Sequence, residues 1–303
     1  MQLYLPIADM PVDPFGIILL GALVGFLSGM FGVGGGFLLT PLLILNGIPP
    51  AVTVGTQAAQ IVGSSVSAAV AHFRRKTVDM QMGGVLVAGG AVGAVVGVYI
   101  FRSLREAGQV DVFISLAYVV FLGLIGALML AESLRAILRQ PKKGAPRRRI
   151  RRTAWMAALP MPMRFRRSHL YISPLPPLFL GFLVGVSSAI MGIGGGFIMV
   201  PVMIYILQMP TNVVVGTSLL QITVVMAITT VLHAVANQTV DIVLAVLLLA
   251  GGVVGAQLGA RFGARLKAEQ LRALLALIVL AVCAGLILEL IVTPEEMYLI
   301  EPL

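Results

Sequence analysis

Apolar positions in this chain come in long blocks with almost no charge inside them, and the blocks define its elements. Six continuous stretches are each about 20 residues long, enough to cross a hydrocarbon core of ~30 Å as a helix. They lie near 52–73, 82–101 and 112–131, and again near 212–235, 242–263 and 271–292. Ahead of each trio runs a longer apolar segment, 15–47 and 175–208, with three consecutive glycines in its middle. Glycine disfavours a helix interior by about 1 kcal/mol relative to alanine, so a triplet marks a break. Each half therefore reads as a broken segment followed by three helices, five hydrophobic pieces per half and ten in all. The weak alternation that marks barrel strands is not seen, and the pattern predicts an all-α integral membrane protein.

The two halves are copies. "GMFGVGGGFLLTP" (Gly29 to Pro41) aligns with "AIMGIGGGFIMVP" (Ala189 to Pro201), with identity at Gly32, Gly34, Gly35, Gly36, Phe37 and Pro41. Downstream, "VGTQAAQIVGSSVSAAVAH" (Val54 to His72) matches "VGTSLLQITVVMAITTVLH" (Val215 to His233), "TVD" ends at Asp79 and again at Asp241, and "VAGGAVGAVVG" (Val87 to Gly97) matches "LAGGVVGAQLG" (Leu249 to Gly259). Four blocks in the same order at nearly fixed separation indicate a duplication. The expected units are a first transmembrane repeat, 1–134, a basic linker, 135–172, and a second repeat, 173–303.

Composition agrees with the pattern: 59% of the 303 residues are hydrophobic and 11% charged, with a mean hydropathy of +1.03. That lies far outside the range of soluble domains. The net charge of +9 comes largely from one place, since 12 of the 21 Lys and Arg residues fall between Arg135 and Arg167. Concentrated in a single loop, they point to cytoplasmic retention and anionic lipid headgroups, not to nucleic acid. Trp155, Met156, Met161, Met163 and Phe165 interleave with these charges, so part of the loop is expected on the membrane surface. The N-terminus carries Asp9 and Asp13 and no base before Arg74, unlike a cleavable signal, so the first apolar segment is expected to be retained. Cys283, the single cysteine, reads as a packing residue.

Loop charge also orients the halves. "HFRRKTVD" carries Arg74, Arg75 and Lys76, whereas its counterpart "HAVANQTVD" carries no base; the loop before the last helix reverses this, with Arg261, Arg265, Lys267 and Arg272 in the second half. Placing these loops and the linker inside leaves only Arg102 and Arg105 of the 21 basic residues outside. The halves are then inverted, each broken segment is a hairpin, and both termini lie outside, which suits their acidic residues.

Candidate chemistry follows from the breaks. The ladders Gly21, Gly25, Gly29, then Gly89, Gly93, Gly97, then Gly251, Gly255, Gly259 have the small-xxx-small spacing of close helix packing. The triplets Gly34, Gly35, Gly36 and Gly194, Gly195, Gly196 have two readings: unwound backbone offering amides to an anion, or a purely structural turn. Beside them, Gln57, Gln60, Ser64 and Ser67 share one helical face, and the second half offers Thr217, Ser218, Gln221 and Thr229. Such residues either line an oxyanion path or hydrogen-bond helix to helix. His72 and His233 end equivalent helices, as headgroup-level or packing residues or as proton carriers. Asp79 and Asp241, just beyond, read as helix N-caps or as relay or gating groups. No Lys, Arg or carboxylate sits in mid-span, which argues against a cation pump. No metal, cofactor or catalytic constellation is expected, so the chain is not read as an enzyme.

The paired glycine triplets, each followed by Val-Gly-Thr-(Gln/Ser) and a Gly-Gly-x-x-Gly-Ala helix, resemble the sulfite exporter TauE/SafE family of membrane permeases. The resemblance covers nearly the whole chain apart from the tails and linker. It implies transport of a small anion, sulfite or an organosulfonate, across the bacterial cytoplasmic (inner) membrane, without a cofactor. By motif it points to Gly34, Gly35, Gly36, Thr56, Gln57 and Gln60 with Gly194, Gly195, Gly196, Thr217, Ser218 and Gln221 as the lining of a central anion path. Thr-Gln in one half faces Thr-Ser in the other, so the two sides are chemically unequal. The expectation is an alternating-access transporter, with an anion channel or a non-transporting scaffold as alternatives. Its expected partners are the anion and membrane lipids, and a homodimer is compatible with it.

Overall fold

The computed structural model describes residues 3–31, 36–138, 163–165, 167–168, 170–263 and 268–291. Ten α-helices are found among them. In the first half these are α1 (Pro14–Phe31), α2 (Gly36–Leu45), α3 (Pro50–Arg74), α4 (Met80–Glu106) and α5 (Val110–Leu138). In the second they are α6 (Leu175–Met191), α7 (Gly196–Pro201), α8 (Thr211–Leu232), α9 (Ile242–Gly263) and α10 (Ala268–Ile291). Wider π turns extend α7 over Val202–Ile206 and α8 over His233–Asn237. Among the described residues five stretches are long and apolar enough to cross a membrane: Met80–Glu106, Val110–Ala131, Val213–Asn237, Ile242–Gly259 and Leu274–Ile291. α3, expected as a sixth, is long enough but is not one of them, its Thr, Gln and Ser side chains lowering its hydropathy. α1, α2 and α6 are shorter apolar helices, as two arms around a break must be.

Local chemistry sets the boundaries. Pro50 opens α3 and prolines occupy the first turn of α6, where a missing N–H costs nothing. Asp79 caps α4 by accepting from Gln81 N at 3.1 Å and Met82 N at 3.2 Å. The Asp241 Oδ1 does the same for α9 through Leu244 N at 3.0 Å. Both aspartates therefore serve as helix caps.

The all-α expectation holds, with one addition. Each half opens with a small antiparallel pair: β1 (Leu3–Leu5) with β2 (Met10–Val12), and β3 (Met163–Phe165) with β4 (Leu170–Ile172). Three residues per strand are too few to show alternation in the sequence. Leu5 and Phe165 take equivalent positions and both are fully buried. Phe165 thus packs with Met82, Leu86 and Met199 in the core and does not lie on a membrane surface. Trp155, Met156, Met161 and most of the basic linker lie outside the described residues. In the first hairpin Asp9 accepts a hydrogen bond from the Tyr4 hydroxyl, which raises that phenol above its ordinary value.

The halves interlock by exchange. α1 packs along α9, α4 along α6, α5 against α10 and α3 against α8, so the main pairings join one half to the other. Glycine permits the tightest of these. A Cβ on Gly25 would stand 2.3 Å from the Gly252 carbonyl oxygen, and one on Gly93 would stand 2.2 Å from that of Phe182. Gly21, Gly25 and Gly29 meet Leu248, Gly252 and Ala256 in rising order, so α1 and α9 run parallel. α3 and α8 run antiparallel: Thr56, early in α3, meets Asp241 beyond the end of α8, and Thr217, early in α8, meets Asp79 beyond the end of α3. At the centre Ala58, Ile61, Ile222 and Met226 join the two helices.

Candidate functional site

The second glycine break is a chain of left-handed turns. Gly192, Gly194 and Gly195 have φ of +69°, +77° and +69°, values that side chains strain to adopt, so the backbone requires glycine at the first two positions of the triplet, and Gly196 begins the next helix. Gly192 N closes α6 on Ser188 O at 2.8 Å, and the chain restarts as α7 at Gly196. In the first half α2 restarts at Gly36; Gly34 and Gly35 lie outside the described residues, as does the side chain of Ser67. The residues following the two triplets, Phe37 and Phe197, stack with ring centroids 4.3 Å apart and planes at 15°. The two helix starts therefore meet, each with first-turn N–H groups that have no partner within their own helix.

Between them lies a cavity of about 290 Å³ lined by both halves. Gly25 and Ser28 of α1, Gly36 of α2 and Gln60, Ser64 and Ser65 of α3 meet Gly194 and Gly196 at the second break, Ser218 of α8, and Gly252 and Ala256 of α9. Ile61, Ile193 and Ile222 supply apolar walls. Among the described residues no lining residue is charged. Polar character comes from one amide, four hydroxyls and the backbone at the two breaks, a set suited to a small polar solute that needs no counter-ion in the wall. The wall is held across the halves: Ser65 Oγ and Thr223 Oγ1 lie 3.0 Å apart, joining α3 to α8. Gly36 is fitted tightly, since a Cβ there would stand 2.6 Å from Ile61 Cδ1 and 2.7 Å from Ile193 O.

The structure divides the sequence candidates. Gly36, Gln60, Gly194, Gly196 and Ser218 are brought together around the cavity. Thr56, Gln57, Thr217, Gly195 and Gln221 are not among its lining. Thr56 Oγ1 accepts from Asp241 N at 2.9 Å and Thr217 Oγ1 accepts from Asp79 N at 3.0 Å, so these two threonines clasp one half to the other. Gln57 donates to Gly36 O and accepts from the Thr40 hydroxyl, bracing the first turn of α2. Gln221 is buried, and its Oε1 has no hydrogen-bond partner. His72 bonds Thr77 Oγ1 at 2.9 Å, whereas His233 is buried at the far end of α8, bonded to Ala189 O. The two histidines are not brought together. Gly25, Gly252, Ser28 and Ala256 enter the lining through the α1–α9 contact. Of these only Gly25 belongs to a glycine ladder, and a ladder announces close packing without naming the partner helix.

Asp79 Oδ2 also accepts from Ser168 N at 2.9 Å and Ser168 Oγ at 2.6 Å, and Asp241 Oδ2 accepts from Ile7 N at 3.1 Å. Each aspartate thus ties its helix start to the turn of the β-hairpin from the other half.

Comparison with known proteins places this architecture. The sequence model of the family Sulfite exporter TauE/SafE matches residues 17–286. "Probable membrane transporter protein YjnA" of Bacillus subtilis (strain 168) is 29% identical over 267 residues, covering 87% of this chain and 96% of its own length. "Probable membrane transporter protein" of Xylella fastidiosa (strain Temecula1 / ATCC 700964) is 30% identical over 266 residues, 86% of this chain and 90% of its own. "Sulfite exporter TauE/SafE family protein 5" of Arabidopsis thaliana is 44% identical over 51 residues, 17% of this chain and 11% of its own. No solved structure matches significantly. With its duplicated glycine-broken segments and a family match running through both halves, the chain belongs to the sulfite exporter TauE/SafE family of membrane transporters.

Proposed function

We propose that the protein is a secondary transporter of a small anion, sulfite or an organosulfonate, working by alternating access between two inverted repeats in a bacterial cytoplasmic membrane. The observation that carries this reading is the uncharged, hydroxyl- and amide-lined cavity at the junction of the two glycine breaks. There an anion can be met by backbone amides and the partial positive charge of helix starts. Uncharged walls bind without trapping, which turnover requires.

Inversion is supported by the antiparallel run of α3 and its copy α8, the relation expected when a two-fold axis lies in the membrane plane. α3 and α9 start together at the Thr56–Asp241 bond, and further along a Cβ on Gly63 would meet Leu249. Their ends, with Arg74, Arg75 and Lys76 on one and Arg261 on the other, share a face. By the positive-inside rule this supports reading that face as cytoplasmic and the first β-hairpin, bonded to Asp241, as outside.

A carrier fits better than a channel, because beyond the cavity Ala94, Val98, Ala189 and Val225 pack into a closed apolar layer. The test is counterflow of labelled sulfite in proteoliposomes, with a melting-point screen against sulfite, sulfate, thiosulfate, short sulfonates and carboxylates. Saturable counterflow and a selective rise in melting point support the reading; a ligand at 100 times its Kd adds about 2.7 kcal/mol. Flux that does not saturate assigns a channel, and no flux or shift with any anion assigns a scaffold.

A further inference from the structure

The duplication gives lining residues counterparts; Gly36 with Gly196 and Ile61 with Ile222 both line the cavity, whereas four other pairs are in different states. Ser28 pairs with Ser188, Gln60 with Gln221, Ser64 with Val225 and Ala256 with Ala94. The first of each pair lines the cavity. Ser188, Gln221 and Val225 are each 1% exposed and Ala94 0%. One chamber is open, and its twin is collapsed with the amide oxygen of Gln221 buried and unpartnered.

His233 closes the collapsed side. Its Nε2 lies 2.9 Å from the Ala189 carbonyl oxygen and its Nδ1 3.0 Å from Asn237 Nδ2, while the ring stands edge-on to Phe101 at 4.7 Å. A carbonyl only accepts, so Nε2 carries the hydrogen and Nδ1 accepts from the amide of Asn237. Asn237 O in turn accepts from Arg105 of α4. The last backbone bond of α6 is Gly192 N to Ser188 O, and the next carbonyl, that of Ala189, is taken by the histidine. The π turn at His233–Asn237 brings the ring to this point. On the other face, His72 bonds Thr77 and leaves Gly29, the counterpart of Ala189, unlatched.

We propose that His233 is the latch of the outer gate, and that the collapsed pocket around Gln221 is a second chamber, twin of the open one, which takes the same small anion when that latch releases. In that state His72 bonds the Gly29 carbonyl, and the chamber around Gln60 closes. This rests on the alternating-access reading. It also gives the unpartnered Gln221 oxygen a role, since the opened chamber hydrates it.

The test uses the full chain with Cys283→Ala and a single cysteine at Ser64→Cys or Ser188→Cys, labelled by a membrane-impermeant maleimide from each face of oriented vesicles. The Ser64→Cys chain is expected to label from the face bearing Arg74, and the Ser188→Cys chain to be protected from both. Adding His233→Ala makes Ser188→Cys label from the opposite face alone, about tenfold faster, as loss of one buried hydrogen bond shifts an opening equilibrium. His233→Gln, whose amide can donate to Ala189 and accept from Asn237, restores protection. An unchanged Ser188→Cys rate in His233→Ala overturns the latch. So does labelling from both faces, which means a loosened fold, or failure of His233→Gln to protect. If Ser64→Cys is unlabelled from the Arg74 face, the alternating-access reading itself fails.

Discussion

Replacing Asp79 by alanine probes how the halves are held. The carboxylate is 2% exposed and accepts from four donors: Gln81 N, Met82 N, Ser168 N and Ser168 Oγ. Loss of the helix cap costs about 1 kcal/mol. A buried donor deprived of its acceptor costs about 1–3 kcal/mol, and Ser168 presents two. The sum is about 4 kcal/mol, which at roughly 2–4 °C per kcal/mol lowers the melting point on the order of 10 °C. Asp241 is the control, since among the described residues it takes Leu244 N and Ile7 N alone, and Asp241→Ala is expected to cost about 2–3 kcal/mol. Heating purified protein in detergent and measuring the monodisperse fraction by size exclusion gives both values. A drop of under about 2 °C for Asp79→Ala, or a smaller drop than for Asp241→Ala, would refute the view that this carboxylate anchors the second hairpin.

Other perturbations separate packing from transport. Gly84, in α4, has nothing within 4 Å of an added Cβ, so Gly84→Ala should stabilise by about 0.5–1 kcal/mol, whereas Gly93→Ala drives a methyl into the Phe182 carbonyl and should abolish the monodisperse species. Gln60→Leu should keep the wild-type melting point yet lower counterflow by about tenfold, from one lost hydrogen bond to the solute. Full flux in that variant would remove Gln60 from the site. Thr56→Val with Thr217→Val should lower stability by about 2 kcal/mol, one hydrogen bond each, measured in the same melting assay.

Much of the architecture is legible without coordinates because its causes are local. Helices expected near 52–73, 82–101 and 242–263 are observed at Pro50–Arg74, Met80–Glu106 and Ile242–Gly263, since apolar length and flanking prolines and aspartates act within a few residues. The break at Gly194–Gly196 is equally local, a matter of φ angles open to glycine. The hairpin strands escaped notice because three residues carry no readable period, and Phe165 was misplaced with them.

What tertiary structure alone decided is which half each residue serves. Thr56 and Thr217 sit in the same Val-Gly-Thr motif as the cavity residues that follow, yet their hydroxyls are spent on Asp241 and Asp79, 185 and 138 positions away. Nothing local could announce a partner at that distance. Gln60 and Gln221 make the sharper case, being equivalent in the duplicated sequence, one lining the cavity and the other sealed. A repeated sequence specifies two sets of similar side chains, but side chains fill space, and packing around His233 seals one set while the other lines a cavity. Amino-acid order determined two equivalent glutamines, and three-dimensional packing chose which one lines the cavity.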